Sequence, residues 1–461
     1  HPYGTTRHPA ELMKLVVRGD GSRLPPPPSC FSQSSTDYAF TAARQYTEAS
    51  ALSTVLGAGG GSIYGGAGGW RDAPVRLLRA DFLIELWRAG ELLPARQQAP
   101  EHAFFDAPPD QARLIAIAAP WLSDEHPDKA GVHLGVIAPL LQAYSAQSPA
   151  SQLAVFWDYT CIYHDAPGSI LTKAQASLAT KGGAAAAHLF THTKVAVWLQ
   201  TRITPIEQAH ASATEALHQV DTERFLKRGV CRLHHALASL LTLPEHLLDL
   251  GRLPPTCHPT QVRDFGREVA TPCSVTNGRA HGFELIRIPM LTPDRFEYEC
   301  QASAFRHASE REQALAAYRQ AFESISRQID DMWYPSLGWT DAEAVLLAEA
   351  LPYCKRLRVL NLSDNPISDV GLAALGAALP PAIEKLDLSK TSLTDRGATQ
   401  LARQLPSGMR SLNLDLTHAG HAARLECASM LAPPELNGSG VTARLVKLPE
   451  RRQADEGLLD A

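Results

Sequence analysis

The chain has 461 residues, a formal net charge of −5 and a pI near 6.4, so it lacks the basic excess that nucleic acids and anionic membranes attract. Its eight cysteines are scattered and include no Cys-x-x-Cys pair, which excludes a zinc ribbon or a thioredoxin-like site and indicates a reducing, cytoplasmic environment. The longest unbroken apolar run, at 114–122, is too short to span a bilayer, and we therefore expect neither nucleic acid nor a membrane as partner.

Residues 1–72 are predicted to form a disordered leader. They contain a polyproline run at 25–28 and eight glycines between Gly57 and Gly69. Such a composition cannot bury enough apolar surface to offset the entropy of ordering. The glycines lack the Gly-Lys-Ser/Thr ending of a phosphate loop, so we interpret them as a linker. The chain begins at His1 and not at a methionine, which leaves its true start open.

Strand and helix patterns alternate between residues 73 and 325. Continuous apolar runs predict buried strands at 113–119, 153–158 and 194–199, and a further strand is expected at 283–289. Helical spacing of apolar residues predicts helices at 75–89, 131–144, 171–190 and 310–332, and a long helical stretch at 205–243. This alternation predicts an α/β domain with a parallel sheet and right-handed crossovers.

Three segments of this domain contain distinctive motifs. They are 113–128, which carries Pro-Trp-Leu-Ser and His-Pro-Asp, then Phe-Trp-Asp at 156–158, and Arg-Gly-Val-Cys-Arg-Leu-His at 228–234. Together these motifs resemble those of Toll/interleukin-1 receptor-like (TIR-like) domains, above all the divergent versions of algae and other protists. The resemblance implies a flavodoxin-like parallel sheet flanked by helices, with a nucleotide pocket at the sheet edge. It also implies self-association of the α/β domain into a homo-oligomer.

The resemblance leaves the chemistry of this domain open. Some members cleave NAD with a glutamate that follows an Arg-Gly-Trp-Cys run, but here His234 stands at the glutamate position and Val230 at the tryptophan position. Imidazole cannot supply the negative charge that stabilises a ribosyl cation, so we predict no catalytic residue and no cofactor. The alternative is an NAD(P) glycohydrolase or a nucleotide sensor with NAD as substrate or ligand. Its residues would be Asp158 with His234 for catalysis, and Trp121, Ser123, Trp157 and Asp158 for binding.

Two histidine-containing groups could carry other chemistry. His188 and His192 are four residues apart, which on a helix would place both on one face for a metal ion. Cys231 beside His234 and His235 could form a nucleophile and a base. No glutamate accompanies the first pair, and Cys231 occupies a cysteine position of the TIR-like pattern. We therefore interpret both groups as structural and predict no metal site.

A repeat of 26 residues organises the segment 326–420. Leu360, Leu386 and Leu412 keep this interval, and an earlier half-unit starts at Asp341. A fixed period of this length indicates one strand-and-helix unit stacked on copies of itself. The pattern resembles ribonuclease-inhibitor-type leucine-rich repeats and predicts a short solenoid, in which an aspartate caps each helix. Residues 421–461 are expected to be a polar tail.

The outward side chains of the repeat strands form the predicted partner-binding surface. Period-two alternation gives nine residues, which are polar, mixed in charge and free of aromatic rings. They are Val359, Asn361, Ser363, Lys385, Asp387, Ser389, Ser411, Asn413 and Asp415. The prediction for the whole chain is a non-catalytic intracellular signalling or scaffolding protein that binds other proteins through this surface and through its α/β domain.

Overall fold

The computed structural model describes residues 73–106, 112–147, 152–166, 168–192, 195–202, 222–241, 247–252 and 287–429. All of them belong to one compact unit, Tyr46–Ala461. The predicted leader at 1–72 and most of the predicted tail, from residue 430 onward, lie outside the described residues. Within the described part, no helix combines the length and the apolar character needed to cross a membrane.

The first half of the described chain contains a five-stranded sheet with the order β1-β3-β2-β4-β5. Strand β1 pairs antiparallel with β3, and the other neighbours are parallel. The strands are β1 (Leu78–Arg79), β2 (Arg113–Ala118), β3 (Leu153–Trp157), β4 (Val195–Leu199) and β5 (Leu247–Asp249). The helices of this half are α1 (Ala80–Ala89), α2 (Val132–Gln147), α3 (Asp158–Cys161), α4 (Lys173–Thr191), α5 (Thr222–Lys227), α6 (Gly229–Leu241), α7 (Pro293–Glu299) and α8 (Ala308–Gln328).

The predicted mixture of a parallel sheet and flanking helices is confirmed. Strand β2 lies in the middle, with Leu114 opposite Ala154 on one side and opposite Val195 on the other. Because helices cover both faces of the sheet, its strands are buried almost throughout and read as unbroken apolar runs. The four parallel strands follow the spatial order second, first, third, fourth, counted along the chain.

Three predicted elements of this half have different bounds or places. The fourth parallel strand is β5, whereas 287–289 is not a strand and 283–286 lies outside the described residues. The reason is that Arg287 and Ile288 hydrogen-bond to Ser239 of α6 instead of to a neighbouring strand. Helix α1 starts at Ala80 because the preceding two residues pair with β3. The long helix ends at Gln328, before the chain enters another strand.

The second half is a four-stranded parallel sheet, each strand of which is followed by a helix. The strands are β6 (Asp331–Trp333), β7 (Val359–Asn361), β8 (Lys385–Asp387) and β9 (Ser411–Asn413). The helices are α9 (Asp341–Ala350), α10 (Asp369–Ala378), α11 (Asp395–Ala402) and α12 (His421–Ser429). Leu360, Leu386 and Leu412 pair across the strands and are buried, as the period predicts.

The prediction that an aspartate caps each repeat helix needs a correction. The residues that precede the first three helices, α9 to α11, are Thr340, Ser368 and Thr394, and the aspartate is the first residue inside each of these helices. The aspartate side chain instead accepts hydrogen bonds from the next repeat. Asp341 accepts from the backbone N–H of Ser368 at 2.7 Å and from its hydroxyl at 2.6 Å. The repeated aspartate therefore joins one repeat to the next.

Strand β6 was not predicted, although the sequence contains its pattern. Met332 lies 28 residues before Leu360 and pairs with it, and it is buried like the leucines of the later strands. The methionine and the longer interval conceal the first strand from a search for leucines at a spacing of 26. The sheet therefore has a fourth strand, which adds Asp331 and Trp333 to its outer face.

The two halves share one hydrophobic core. Helix α8 packs against α4 and α6 and then leads into β6. The segment from Arg287 to Leu291 runs between the halves. The Arg287 guanidinium donates to the Trp333 carbonyl at 3.2 Å and lies 4.6 Å from the centre of the Tyr334 ring, while the Trp339 indole donates to the Arg287 carbonyl. The α/β half thus covers the first strand of the repeats.

Candidate functional site

The outward side chains of β6 to β9 and of the residues that follow these strands form a continuous surface, here called the strand face. Eight of the nine predicted partner-binding residues are partly exposed on it, and the ninth, Asn361, is 7% exposed. Asp331 and Trp333 extend the strand face over β6. The prediction that this surface lacks aromatic rings is therefore wrong, because it was made without the first strand.

Hydrogen bonds within the strand face hold its central row of side chains in place. Asn361 and Asp387 each accept from the backbone N–H and the hydroxyl of the serine two residues further on, Ser363 and Ser389. Asn413 donates to Asp387 at 3.2 Å, across the two strands. Side chains that are fixed before binding lose less conformational entropy when a partner arrives. The centre of the strand face is thus a rigid polar row.

A line of alternating charges borders the strand face where the strands begin. Asp330, Arg358, Glu384 and Arg410 each precede one of the four strands. Arg358 donates two parallel hydrogen bonds of 3.0 Å to Glu384, and these bonds hold the pKa of the Glu384 carboxyl below its usual value. Asp330 pairs in turn with Arg356 at 3.2 Å. These opposite charges largely neutralise each other along the border.

A second cluster surrounds Asp158 at the carboxyl end of β3. The Trp121 side chain lies near enough to Asp158 to lower its pKa, and the Arg306 guanidinium lies 3.4 Å from the centre of the Trp121 ring. Tyr159 and His164 complete the cluster, with ring centres 5.2 and 5.8 Å from that of Trp121. The structure therefore brings Trp121 and Asp158 together, as the alternative prediction of a nucleotide site requires, and places Arg306 over the indole ring.

The surroundings of Asp158 favour its neutral form. Burial raises the pKa of this carboxyl to about 6, although the Tyr159 backbone N–H at 2.7 Å, Arg306 and Trp121 act in the opposite direction. Burial and the nearby Arg306 charge lower the pKa of His164 to about 4, so its ring is neutral at pH 7. The cluster thus has a carboxyl group that titrates near neutral pH, which general acid or base chemistry requires.

The other residues of the alternative site lie elsewhere. Trp157 is 1% exposed and belongs to the core of the sheet. The Ser123 hydroxyl is bonded to the backbone of His126 within its own loop. His234 stacks on Phe190, with ring centres 3.8 Å apart, and burial lowers its pKa to about 3. His234 is therefore a neutral core residue and not a replacement for the catalytic carboxylate of the TIR-like pattern.

The two further histidine groups have structural positions. Burial raises the pKa of the Cys231 thiol far above its ordinary value, so Cys231 is not an activated nucleophile. His188 is exposed on α4, whereas His192 is buried at the end of that helix. In the part of the chain that the structure describes, no three histidine, cysteine or acidic side chains converge as metal ligands. The absence of a metal site stays a prediction.

Residues 353–376, which contain β7 and most of α10, match the leucine-rich repeat family. Among solved structures, the actin-binding site 2 of leiomodin-1 is similar, with 17% identity, 24% of this chain and 68% of that chain covered, and a TM-score of 0.22. A TM-score this low supports no conclusion about this chain. No curated protein matches significantly. The leucine-rich repeat is thus confirmed, and none of these comparisons supports the TIR-like resemblance.

The sequence analysis missed Asp331 and Trp333 on the strand face, and Tyr159, His164 and Arg306 in the Asp158 cluster. Trp333 could have been found by extending the repeat 28 residues before Asn361, the residue with which it pairs. Arg306 lies 185 positions after Trp121, and no local pattern links the two. Only the packing of the segment before α8 brings Arg306 to the carboxyl end of β3.

Proposed function

We propose that the chain is a non-catalytic protein that binds another protein through the strand face. The observation that carries the proposal is the strand face itself: a row of polar side chains fixed by internal hydrogen bonds, with charged and aromatic residues around it. Open, parallel strand surfaces of stacked repeats serve as binding surfaces. We further propose a role in cytoplasmic signalling or scaffolding.

The experiment is a comparison of photo-crosslinking at two positions of the full chain. A photoreactive amino acid replaces Ser411 on the strand face or Glu349 on the exposed side of α9. The proposal predicts one protein adduct from source cells at Ser411 and none at Glu349. The same adduct must disappear when Ser389→Trp, which places a bulky ring in the middle of the strand face, is added to the Ser411 probe. Equal labelling at both positions, or no specific adduct at Ser411, would refute the proposal.

The α/β half is proposed to be a flavodoxin-like domain of the TIR-like type. Its parallel strands follow the order second, first, third, fourth, which is the start of the flavodoxin-like order. We propose the predicted limits 1–72 for the leader, 73–325 for the α/β domain and 326–420 for the repeats, with one correction. The predicted tail at 421–461 begins instead after Ser429, because α12 (His421–Ser429) packs against α11 as the last helix of the repeats. Self-association of the α/β domain is part of this proposal. Sedimentation of the full chain over a range of concentrations tests it, since a constant monomer mass would contradict it.

A nucleotide sensor at the Asp158 cluster is the second candidate function. The contact between Trp121 and Asp158 favours it, because an indole ring beside a carboxyl group can hold a base and a ribose hydroxyl. Thermal-shift measurements with NAD and with ADP-ribose test it. A ligand at 100 times its dissociation constant stabilises the folded state by about 2.7 kcal/mol. An unchanged melting temperature with both ligands would remove this candidate, and release of nicotinamide from NAD would instead indicate hydrolysis.

A further inference from the structure

Strand β6 presents a carboxylate and an indole ring side by side on the strand face. Asp331 and Trp333 are partly exposed, while Met332 between them is 2% exposed and points into the core. Residues two apart on a strand point to the same side and lie about 7 Å from each other. The pair therefore forms one end of the strand face, next to Val359 on β7.

The Asp331 carboxylate is compensated only in part by the cations around it. Its side chain makes no hydrogen bond or ion pair within the part of the chain that the structure describes, whereas the neighbouring Asp330 is paired with Arg356. Burial and the Asp330 charge raise the pKa of Asp331, although Arg358 and Lys385 act against this shift. A cation that approached Asp331 would relieve both effects, because it would restore the interactions lost on burial and offset the neighbouring negative charge.

The Trp333 ring adds a second attraction for the same kind of group. The face of an indole attracts cations, arginine and lysine side chains above all. The neighbouring Tyr334 already contacts a guanidinium, that of Arg287, at 4.6 Å. This segment of the chain therefore already contains one aromatic ring with an arginine against it.

The strand face carries a negative charge, which would attract the same cationic side chains as Asp331 and Trp333. Its residues include three aspartates, Asp331, Asp387 and Asp415, against one lysine, Lys385. The border adds one positive charge, because Asp330 pairs with Arg356, Arg358 pairs with Glu384, and Arg410 also lies near Glu384. With that charge included, the strand face and its border remain negative by one charge, which favours a basic partner.

We propose that the partner is a protein that places an arginine or lysine side chain between Asp331 and Trp333, with the rest of its contact running along the strand face. The inference rests on the proposed function, since it names the chemistry that the strand face recognises. A buried charged contact next to an aromatic anchor is the kind of interaction that carries most of the affinity in protein interfaces. Polar contacts to the central row then fix the register of the partner.

The first experiment uses a defined probe and the full chain. The protein is labelled with 5-fluorotryptophan, and the fluorine resonance of Trp333 is assigned with Trp333→Phe. N-acetylarginine amide is then titrated, and N-acetylcitrulline amide, which is similar in size but uncharged, is the control. We expect a saturable shift of the Trp333 resonance at millimolar arginine probe, at least threefold weaker binding of the citrulline probe, loss of the shift in Asp331→Asn and its recovery in Asp331→Glu.

An equal response to both probes, or a response that survives in Asp331→Asn, would overturn the inference. The second experiment separates its failure from that of the proposed function. The dissociation constant of the partner captured at Ser411 should rise at least tenfold in Asp331→Asn and in Trp333→Leu, and should not change in Glu349→Gln. Binding that is lost in Ser389→Trp but unchanged in Asp331→Asn would refute the inference alone. An arginine-specific shift at Trp333 without any captured partner would refute only the proposed function.

Discussion

Asp158 is a single residue whose surroundings make stability depend on pH. Burial raises its pKa to about 6 from an ordinary value of 3.8, so the folded chain holds this proton more tightly than the unfolded chain does. The contribution of Asp158 to stability is therefore most favourable below pH 4, falls as the pH rises toward 6 and is constant above that. Asparagine does not ionise, so the Asp158→Asn variant does not lose this stability as the pH rises.

We accordingly expect the stability of Asp158→Asn, measured relative to that of the original chain, to increase when the pH is raised from 4.5 to 7.5. The upper limit of the gain is about 3 kcal/mol, which corresponds to the full shift of the pKa. Urea denaturation at both pH values measures the change. A difference between the two proteins that stays the same at pH 4.5 and pH 7.5 would show that Asp158 ionises as freely in the folded chain as in the unfolded one.

Gly229 is a residue for which the structure leaves no room for a side chain. A Cβ atom there would lie 2.1 Å from the Phe305 ring, whereas a Cβ at Gly183 in α4 would have its nearest neighbour at 4.0 Å. We expect Gly229→Ala to lose about 2 kcal/mol or more of unfolding free energy because the ring must move. Gly183→Ala should instead gain up to about 1 kcal/mol, because alanine is the better helix former.

Thermal denaturation of the two alanine variants compares these sites within helices of the same domain. A second substitution, Phe305→Leu, should recover part of the loss in Gly229→Ala because it removes the ring. The idea that Phe305 requires this glycine fails if Gly229→Ala is as stable as Gly183→Ala. The glycine of the Arg-Gly-Val-Cys run then has no packing explanation.

The sequence predicts the residues of the strand face better than those of the Asp158 cluster. The positions of Lys385, Ser411 and Asp415 on the strand face follow from period-two alternation and from the repeat. The Asp158 cluster combines residues from three distant segments, and its third member, Arg306, has no sequence pattern that marks it. Local patterns predict which side of a strand a residue faces, but they do not predict which distant loop covers it.

At the scale of elements, the repeats are held together by the aspartate that starts each helix. Asp341 accepts three hydrogen bonds from the next repeat, two from Ser368 and one from the Gly371 backbone at 3.1 Å. A Cβ at Gly371 would lie 2.6 Å from the Asp341 carboxylate. The aspartate and the glycine of the repeat are therefore two parts of one contact, which explains why both keep the same period.

We expect Asp341→Ala to reduce the free energy of unfolding by about 2 kcal/mol, since hydrogen bonds to a partly buried carboxylate are lost. Glu349→Ala on the same helix is the control, and because Glu349 is exposed it should change stability by less than about 0.5 kcal/mol. Urea denaturation followed by circular dichroism measures both. Similar small effects from the two substitutions would mean that adjacent repeats associate through their leucines alone.

The elements also show why the sequence predicts some strands better than others. Strands β2, β3 and β4 are buried on both faces, so each appears as an unbroken apolar run. Strand β5 has only three residues and β6 has a methionine at its core position, so neither stands out. Whether a short segment pairs with a sheet is decided by its neighbours in space, as the hydrogen bonds of Arg287 and Ile288 to Ser239 illustrate.

At the scale of the whole molecule, the α/β half and the repeats are expected to unfold together. A stack of repeats needs a covered end, because its first strand would otherwise expose core residues. Here the α/β half and the segment from Arg287 to Leu291 cover the end formed by β6, and one core contains Tyr318 and Phe322 of α8 together with Met332 and Trp339. The sequence predicts the limit between the α/β domain and the repeats from the change in pattern, but it does not show the packing across that limit.

Arg287 provides the sharpest test of this connection. It is 7% exposed and donates to carbonyls on both sides, to Ser239 of α6 and to Trp333 of β6. Arg287→Met keeps most of the apolar volume but leaves these carbonyls without this donor. We therefore expect a loss of about 3 kcal/mol.

The same substitution in Arg356, which is paired with Asp330 but whose side chain is 63% exposed, should cost less than about 1 kcal/mol. Urea unfolding of both variants is followed by circular dichroism and by tryptophan fluorescence. In the original chain the two probes should report one transition. Separate transitions there would mean that the halves unfold independently. Equal effects of Arg287→Met and Arg356→Met would show that the buried arginine does not connect them.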